Sequence, residues 1–546
     1  MLLNARRSYV RYFLVCALLL VVYVILLPWD SQALSTVTKT TSSLVDFDRK
    51  PKPADDVPRP GDAGHNPADQ KAGDTAGKAH KEEPVSAKEH YQQLFEIFGR
   101  HAPDISPLKN YKDDKKAPKK AFDDKLPVFT NEELAEFLQV SDEDKEKLKR
   151  AYEGIVKDLP SEPPKGLYEG TGVVTTSGAR YMPVMLNTLR MLRRVSPHIP
   201  VEVFVADKEE YEPGICEEVL PELNAKCVVL EDIYGADTFK KFDIHGYQFK
   251  VLAILASRFE DVIFIDSDSV PIRDIETLTL REPYLSTGYI LWPDYWFRTT
   301  SPAYYDIIGT KLGERVRGDL SETDPTKIPQ ADREGALPDK STESGQIVIS
   351  KKRHYKSLLL ATHFNLEGYK AYYQLFTQGS GGEGDKETYF AAALALGEDV
   401  HHVIQDCRPT GRFAPDFIGA GMLQVDPHDD YQKNVLKTTT ENPRVMFMHL
   451  NYPKVNPKEL FVNDKQHFDK EHEENRVRYY GKPSENHHLF DDKDIELELW
   501  LEAQWAACDI GVYKGIVFND WKDLDMNDMC QRIYDHVNWL KSTHNT

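Results

Sequence analysis

Two aspartates separated by one serine, Asp266-Ser267-Asp268, follow directly on an apolar run, Val262 to Ile265, in the stretch "DVIFIDSDSVPIRD". Like charges this close repel unless a positive group lies between them. A hard divalent cation meets that need, because it takes oxygen ligands and favours carboxylates together with substrate phosphates. An apolar run ending in polar residues is also the pattern of a strand that delivers side chains to the carboxyl edge of an open α/β sheet, where such sheets bind ligands. The expectation is a metal held by Asp266 and Asp268, with a nucleotide diphosphate behind it. Two other readings fit the same letters. One is a solvated Asx turn. The other is a phosphatase of the haloacid-dehalogenase type, with the first aspartate as nucleophile and the second as acid/base. That arrangement opens its domain, whereas here a long strand–helix pattern precedes it.

The elements that must position these groups can be read on either side. "GVVTTSG" (Gly172 to Gly178), "PVEVFVAD" (Pro200 to Asp207), "CVVLED" (Cys227 to Asp232) and "DVIFID" read as strands. "YMPVMLNTLRMLRRV" and "GYQFKVLAILASRF" between them have helical spacing. Strands alternating with helices predict a mostly parallel, doubly wound α/β sheet. "TGYILWPD", "QIVIS", the helix "DKETYFAAALAL", "HHVIQ" and "RVMFMHLN" continue the mixture. Upstream, Thr130 with Glu133 makes a capping box, and Ser141 with Asp144 opens a second helix in the same way. The segment "KEHYQQLFEIFGRH" reads as a further short helix.

The chain has 546 residues, with 88 acidic against 68 basic and a formal charge of -20. That balance argues against general nucleic-acid binding, which needs a basic face. Tyr12 to Leu27 carries no charge, and Tyr9 to Trp29 reaches the length of a membrane span if Arg11 snorkels. Arg6, Arg7 and Arg11 before the span keep the N-terminus cytosolic, so the remainder is expected on the lumenal or extracellular side. A cleaved signal peptide ending at "SQA" is the alternative. The Pro-, Asp-, Lys- and Gly-rich stretch from Asp48 to Val85 is expected to be a disordered stalk. The expected organisation is a cytosolic tail (1–8), anchor (9–29), stalk (30–125), helical accessory segment (126–165), catalytic domain (166–456) and C-terminal extension (457–546) packed on it. Five cysteines beyond Cys16 would meet an oxidising compartment. Cys216–Cys227 and Cys508–Cys530 are plausible bridges, but spacing does not assign the pairing.

"YQFKVLAILASRFEDVIFIDSDSVPIRD" resembles the helix–strand–D-x-D segment of GT-A glycosyltransferases. "VVTTSGARYMPVMLNTLRMLR", "LPELNAKCVVLED", "EPYLSTGYILWPDYWFRTTSPAYYDI", "LPDKSTESGQIVISKKRH" and "GSGGEGDKETYFAAALALG" narrow the match. In this order they resemble the fungal Golgi α-mannosyltransferases that build mannan side chains, especially the α-1,2 group. The resemblance spans Gly166 to Pro453. It implies a GT-A-like mixed sheet, a divalent metal such as Mn²⁺, GDP-mannose as donor and a mannan or oligomannoside acceptor. It also implies a single-pass type II Golgi enzyme, with a Golgi glycosyltransferase complex as a potential partner. His449, at the end of a late apolar strand, is the implied third metal ligand. Lys250 is expected to face the donor, with Thr175, Thr176, Arg180, Ser267 and Ser344 as further donor contacts. Asp385 is expected beside the transferred sugar, with Glu383 and Glu343 as the other candidate catalytic carboxylates. An N-cap role is the alternative for Asp385. Trp292, Asp294, Tyr295 and Trp296 offer aromatic faces and a carboxylate to a sugar acceptor, although aromatic residues are more often core. An α-1,3 linkage, a lumenal phosphatase and a non-catalytic mannan-binding scaffold are the alternatives.

Overall fold

β-branched and aromatic residues place the strands, and the computed structural model gives their limits. It describes residues 86–119, 129–318, 320–413, 416–463, 476–481, 483 and 489–544. The strands are β1 (Thr171–Thr176), β2 (Val201–Val205), β3 (Ala225–Val229), β4 (Asp261–Ile265), β5 (Ser269–Pro271) and β6 (Tyr289–Pro293). They continue with β7 (Thr342–Ser350), β8 (His401–His402), β9 (Arg408–Phe413), β10 (Phe417–Val425) and β11 (Val445–His449). The principal helices are α1 (Ala87–Arg100), α2 (Asp142–Asp158), α3 (Met182–Val195) and α4 (Gln248–Ala256). They are followed by α5 (Tyr355–Leu366), α6 (Lys386–Leu396), α7 (Ile495–Gln504) and α8 (Met526–Ser542).

Seven strands form one sheet in the order β3-β2-β1-β4-β7-β6-β8. The first four are parallel, as the strand–helix alternation predicts. β7 runs antiparallel to both β4 and β6, so the sheet is mixed. Successive residues of the central strands enter opposite cores, as the strand period of two requires. Val173, Ile263, Ile265 and Val348 lie in one core, while Val174, Val262, Phe264, Ile347 and Ile349 lie in the other. Burial on both faces explains why "VIFI" is continuously apolar rather than alternating. A second, antiparallel sheet has the order β5-β11-β10-β9. The sequence pattern predicts one sheet, and this second one is a departure from it.

The two N-terminal caps form as read. Thr130 and Glu133 make a reciprocal box, and the Ser141 hydroxyl accepts from the Asp144 amide at 3.1 Å. α1 buries Tyr91, Leu94, Phe95 and Phe98. Packed structure is thus present inside the expected 30–125 stalk, because this amphipathic helix carries enough apolar surface to dock. At the other end, α7 and α8 bring Leu499, Trp500, Ile533 and Val537 into the same core as α3. Arg190 and Arg194 of α3 both donate to Glu502 of α7, each at 2.7 Å. Disulfides join Cys216 to Cys227 and Cys508 to Cys530, and Cys407 is free and buried. Among the described residues no helix is long and apolar enough to cross a membrane. The expected anchor, 9–29, lies outside the described residues.

Candidate metal and sugar-nucleotide site

The Asp266-Ser267-Asp268 triplet forms the passage between the two sheets. β4 ends at Ile265, and the Asp266 amide donates to the Gly345 carbonyl at 2.8 Å. The chain then leaves the large sheet and enters β5, whose antiparallel register sets Ser269 opposite His449 of β11. The Leu450 amide closes this ladder on the Asp268 carbonyl at 2.8 Å. Backbone pairing therefore carries His449 to Asp268 across 181 positions of sequence (449 minus 268). One ligand atom from each of Asp266, Asp268 and His449 lies within 4.8 Å of the other two. His449 Nε2 is 3.3 Å from Asp268 Oδ1. Two carboxylates and an imidazole suit a divalent metal ion.

The surroundings of His449 fit the same role. Its Nδ1 faces Glu343 Oε1 at 3.1 Å, an ion-pair contact off the hydrogen-bonding direction. A carboxylate behind the imidazole is the usual means of orienting a metal-bound histidine. Burial pushes the Glu343 carboxyl up, but His449 beside it brings it down to about 2. Burial likewise pulls His449 down, and Glu343 raises it above the ordinary histidine value. Glu343 also accepts from the Gly345 amide at 2.6 Å. A Cβ on Gly345 would stand 2.8 Å from His449 Nδ1 and 2.7 Å from Glu343 Oε1, so this position admits only glycine without displacing the pair. Gly345→Ala is accordingly expected to weaken Mn²⁺ binding by about 10- to 100-fold. Isothermal titration with the metal alone measures this, and unchanged affinity would contradict the role given to His449.

Above the triplet opens a cleft of about 1120 Å³. Lys250, in the first turn of α4, is its central cation. Its Nζ lies 2.9 Å from Asp266 Oδ2 and 3.5 Å from Asp385 Oδ2, and donates to the Ser344 carbonyl at 2.8 Å. Burial pulls its pKa down, but Asp266 and Asp385 together hold it above the ordinary lysine range. Asp385 precedes α6 but makes no capping hydrogen bond. Its carboxylate instead accepts from Tyr389 Oη at 3.3 Å and Ser344 Oγ at 3.4 Å. The capping explanation for Asp385 therefore fails, because its side chain turns into the cleft.

The remaining sequence candidates divide. Thr176, Ser267, Ser344, Glu343, Glu383, Asp294, Tyr295 and Trp296 line the cleft with the metal triplet. Thr175 does not: it is buried within β1, on the other side of the strand from Thr176. Arg180 is exposed and stacks 5.1 Å over the Tyr181 ring instead of entering the cleft. Trp292 is fully buried, and its indole N–H is spent on the Val425 carbonyl at 2.9 Å. It belongs to the core rather than to an acceptor surface, because an inward position in a strand covered on both faces admits no ligand. Three cleft groups carried no clear signal in the sequence. Lys454 contacts Asp268. Lys386 neutralises the buried Asp294 and donates to Ser341 Oγ at 3.0 Å. Tyr247 packs on the backbone of Gly384. Lys454 follows His449 closely in "HLNYPK", which is the one cue that could have found it.

Comparison with known proteins bears on this arrangement. A family model described as a mannosyltransferase matches residues 170–426. The chain is 36% identical to the α-1,2-mannosyltransferase MNN21 of Candida albicans, over 84% of this chain and 75% of that one. The chain belongs to the family of fungal α-1,2-mannosyltransferases. A second relative, α-1,2-mannosyltransferase MNN2 of Saccharomyces cerevisiae, is 31% identical over 77% of this chain and 78% of that one. Among solved structures, the galactosyltransferase LgtC aligns with a TM-score of 0.24 at 13% identity, over 42% of this chain and 73% of that chain.

In this member of the mannosyltransferase family, a buried ion pair braces the sugar-side loop. Arg298 and Glu387 contact each other with almost no exposure. Arg298 also donates to the carbonyls of Pro338 at 2.8 Å and Lys340 at 2.9 Å. Glu387 accepts from the Thr342 amide at 3.0 Å. The start of α6, and with it Asp385, is thereby tied to the start of β7. Removing one partner leaves an uncompensated buried charge, so Glu387→Ala should cost about 3–5 kcal/mol. A fall of less than 1 kcal/mol, about the yield of an exposed pair, in urea unfolding would show that the pair is not a brace.

Proposed function

We propose that this chain transfers mannose from GDP-mannose to the 2-hydroxyl of a mannoside, retaining the α configuration of the donor. Asp266, Asp268 and His449 would hold Mn²⁺ or another divalent ion, and their convergence on one cleft is the observation that carries the reading. A parallel half-sheet, a D-x-D passage and an antiparallel second sheet support assignment to the GT-A architecture. When bound, the ion supplies Lewis-acid stabilisation of the departing diphosphate.

The chain's own residues do the rest. Lys250 and Lys454 bring two ammonium groups to the edge where the diphosphate must lie. Thr176 and Ser267 line the donor side. Asp385, fixed by Lys250, Tyr389 and Ser344, stabilises the positive charge that grows on the anomeric carbon as the diphosphate leaves. Glu343 serves His449 rather than the sugar. Glu383 faces the cleft from the glycine-rich loop, where Asp294, Tyr295 and Trp296 complete the acceptor side. The acceptor hydroxyl then attacks from the face that the diphosphate vacates, its proton passes to the departing diphosphate, and an α donor gives an α product.

A type II anchor at residues 9–29 and a Golgi-lumenal catalytic domain complete the proposal, and the two disulfides support an oxidising compartment. The acceptor is mannan or another oligomannoside of glycoprotein glycans. The test is GDP release from GDP-mannose with α-mannobiose, with and without Mn²⁺, followed by linkage analysis of the product. An α-1,3 product would overturn the linkage. Mannan binding without any turnover would overturn the enzyme.

A further inference from the structure

The antiparallel sheet ends in two aromatic residues that no described residue covers. Phe413 is 75% exposed and Phe417 44%, and the two rings meet at 5.4 Å with an interplanar angle of 60°. They stand directly opposite each other at the open end of β9 and β10. Among the described strands β9 lies at the edge, and exposed aromatic residues on a sheet edge invite unwanted association. A feature with that liability calls for a use.

The hairpin leads into the cleft. Gly419, Ala420 and Gly421 of β10 line it. The Tyr295 hydroxyl donates to the Gly421 carbonyl at 3.1 Å. A Cβ on Gly419 would lie 3.7 Å from the Phe417 ring, so that ring covers the same face of the strand as Gly419. Gly411 of β9 lies opposite Gly419 and keeps the neighbouring strand free of side chains there. β10 carries a bulge between Gly419 and Gly421, but the face of β9 that holds Phe413, Gly411 and Pro409 runs unbroken, and Pro409 and Gly419 both line the cleft. At about 3.3 Å per residue, Phe413 lies about 13 Å beyond Pro409 along β9. That is beyond the reach of a single hexose but within the reach of a short chain of them.

We infer that Phe413 and Phe417 form a distal subsite for a chain acceptor, stacking on the outer mannose residues of an oligomannoside whose end lies in the cleft. The occupant follows from continuity with the cleft, and the inference rests on the mannosyltransferase reading above. The C–H face of a pyranose is apolar and the faces of the two rings are available to it. Gly411 and Gly419 put no side chain on the face between the rings and the cleft. The hairpin would make the enzyme prefer long acceptors to short ones by lowering their KM.

The experiment compares α-mannobiose with a linear mannohexaose as acceptors for the full chain and for F413S/F417S. The expected result is a rise of about tenfold in the KM for mannohexaose. kcat, the KM for GDP-mannose and all constants with α-mannobiose should stay unchanged. Ile418, exposed on the opposite face of β10, provides the control, and I418S should behave like the parent. Equal losses on both acceptors, or no change on either, would overturn the inference. So would a change in oligomeric state or vesicle binding in F413S/F417S with the preference for mannohexaose intact, since the rings would then serve another partner. A parent protein that transfers mannose to neither acceptor overturns the mannosyltransferase reading itself, a separate and recognisable result.

Discussion

Asp268→Ala is expected to lower metal-dependent transfer of mannose by about 10³-fold. Asp268 is nearly buried and lies between two cationic groups, His449 and Lys454. Its loss removes one of three metal ligands and leaves both neighbours without the carboxylate they face. A second readout separates this from simple unfolding. Mn²⁺ with GDP should raise the melting temperature of the parent by linkage, because a ligand that binds only the folded state stabilises it. The same addition should do little for the variant, while the unliganded melting temperatures remain comparable. Transfer that persists at the parent rate, with its metal dependence intact, would end the case for a clamp at this triplet.

Lys250→Met should lower kcat by about 10²-fold, the order found when one preorganised charge-stabilising donor is removed. Methionine keeps the apolar stem and removes the ammonium. Asp266 and Asp385 then face each other across the cleft with no charge between them, and Ser344 loses both of its bonds to Nζ. Leaving the buried Asp385 without its cation also costs stability, about 3–5 kcal/mol. Single-turnover measurement at saturating donor isolates the chemical step from binding. Lys250→Arg should recover little, because Nζ is already fitted among a carboxylate, a carbonyl and a hydroxyl, with no room for a planar fork. A methionine variant with unchanged single-turnover rate would make Lys250 a purely structural cation.

The part of the fold nearest the metal was legible because it depends on short-range signals. The apolar run before Asp266 announced a strand with both faces covered, and the D-x-D at its end announced the ligands. The four parallel strands followed from their alternation with helices. The second sheet was hidden, since β5 is only three residues long. No periodicity exists in so short a piece, and its partner lies far along the chain. Trp292 misled for a related reason. An aromatic beside Asp294 and Tyr295 looks like a binding surface until the strand's alternation is placed in a sheet buried on both sides. Thr175 and Thr176 are adjacent in sequence and differ in the same way, one turned into the layer beneath and one into the cleft. Glu343 was singled out as a catalytic candidate, yet its work for His449 could be seen only once β7 and β11 were brought together. Lys386 and Tyr247 were invisible because their importance comes from what they touch.

The division of the metal ligands between two sheets has a consequence for assembly. Asp266 and Asp268 emerge early from the ribosome, but His449 is delivered only when β11 pairs with β5. A chain shortened anywhere between β5 and β11 still carries both carboxylates and lacks the third donor. On the proposed reading, tight loading with metal would report a finished molecule, and the ion that serves the reaction would also fasten one sheet to the other.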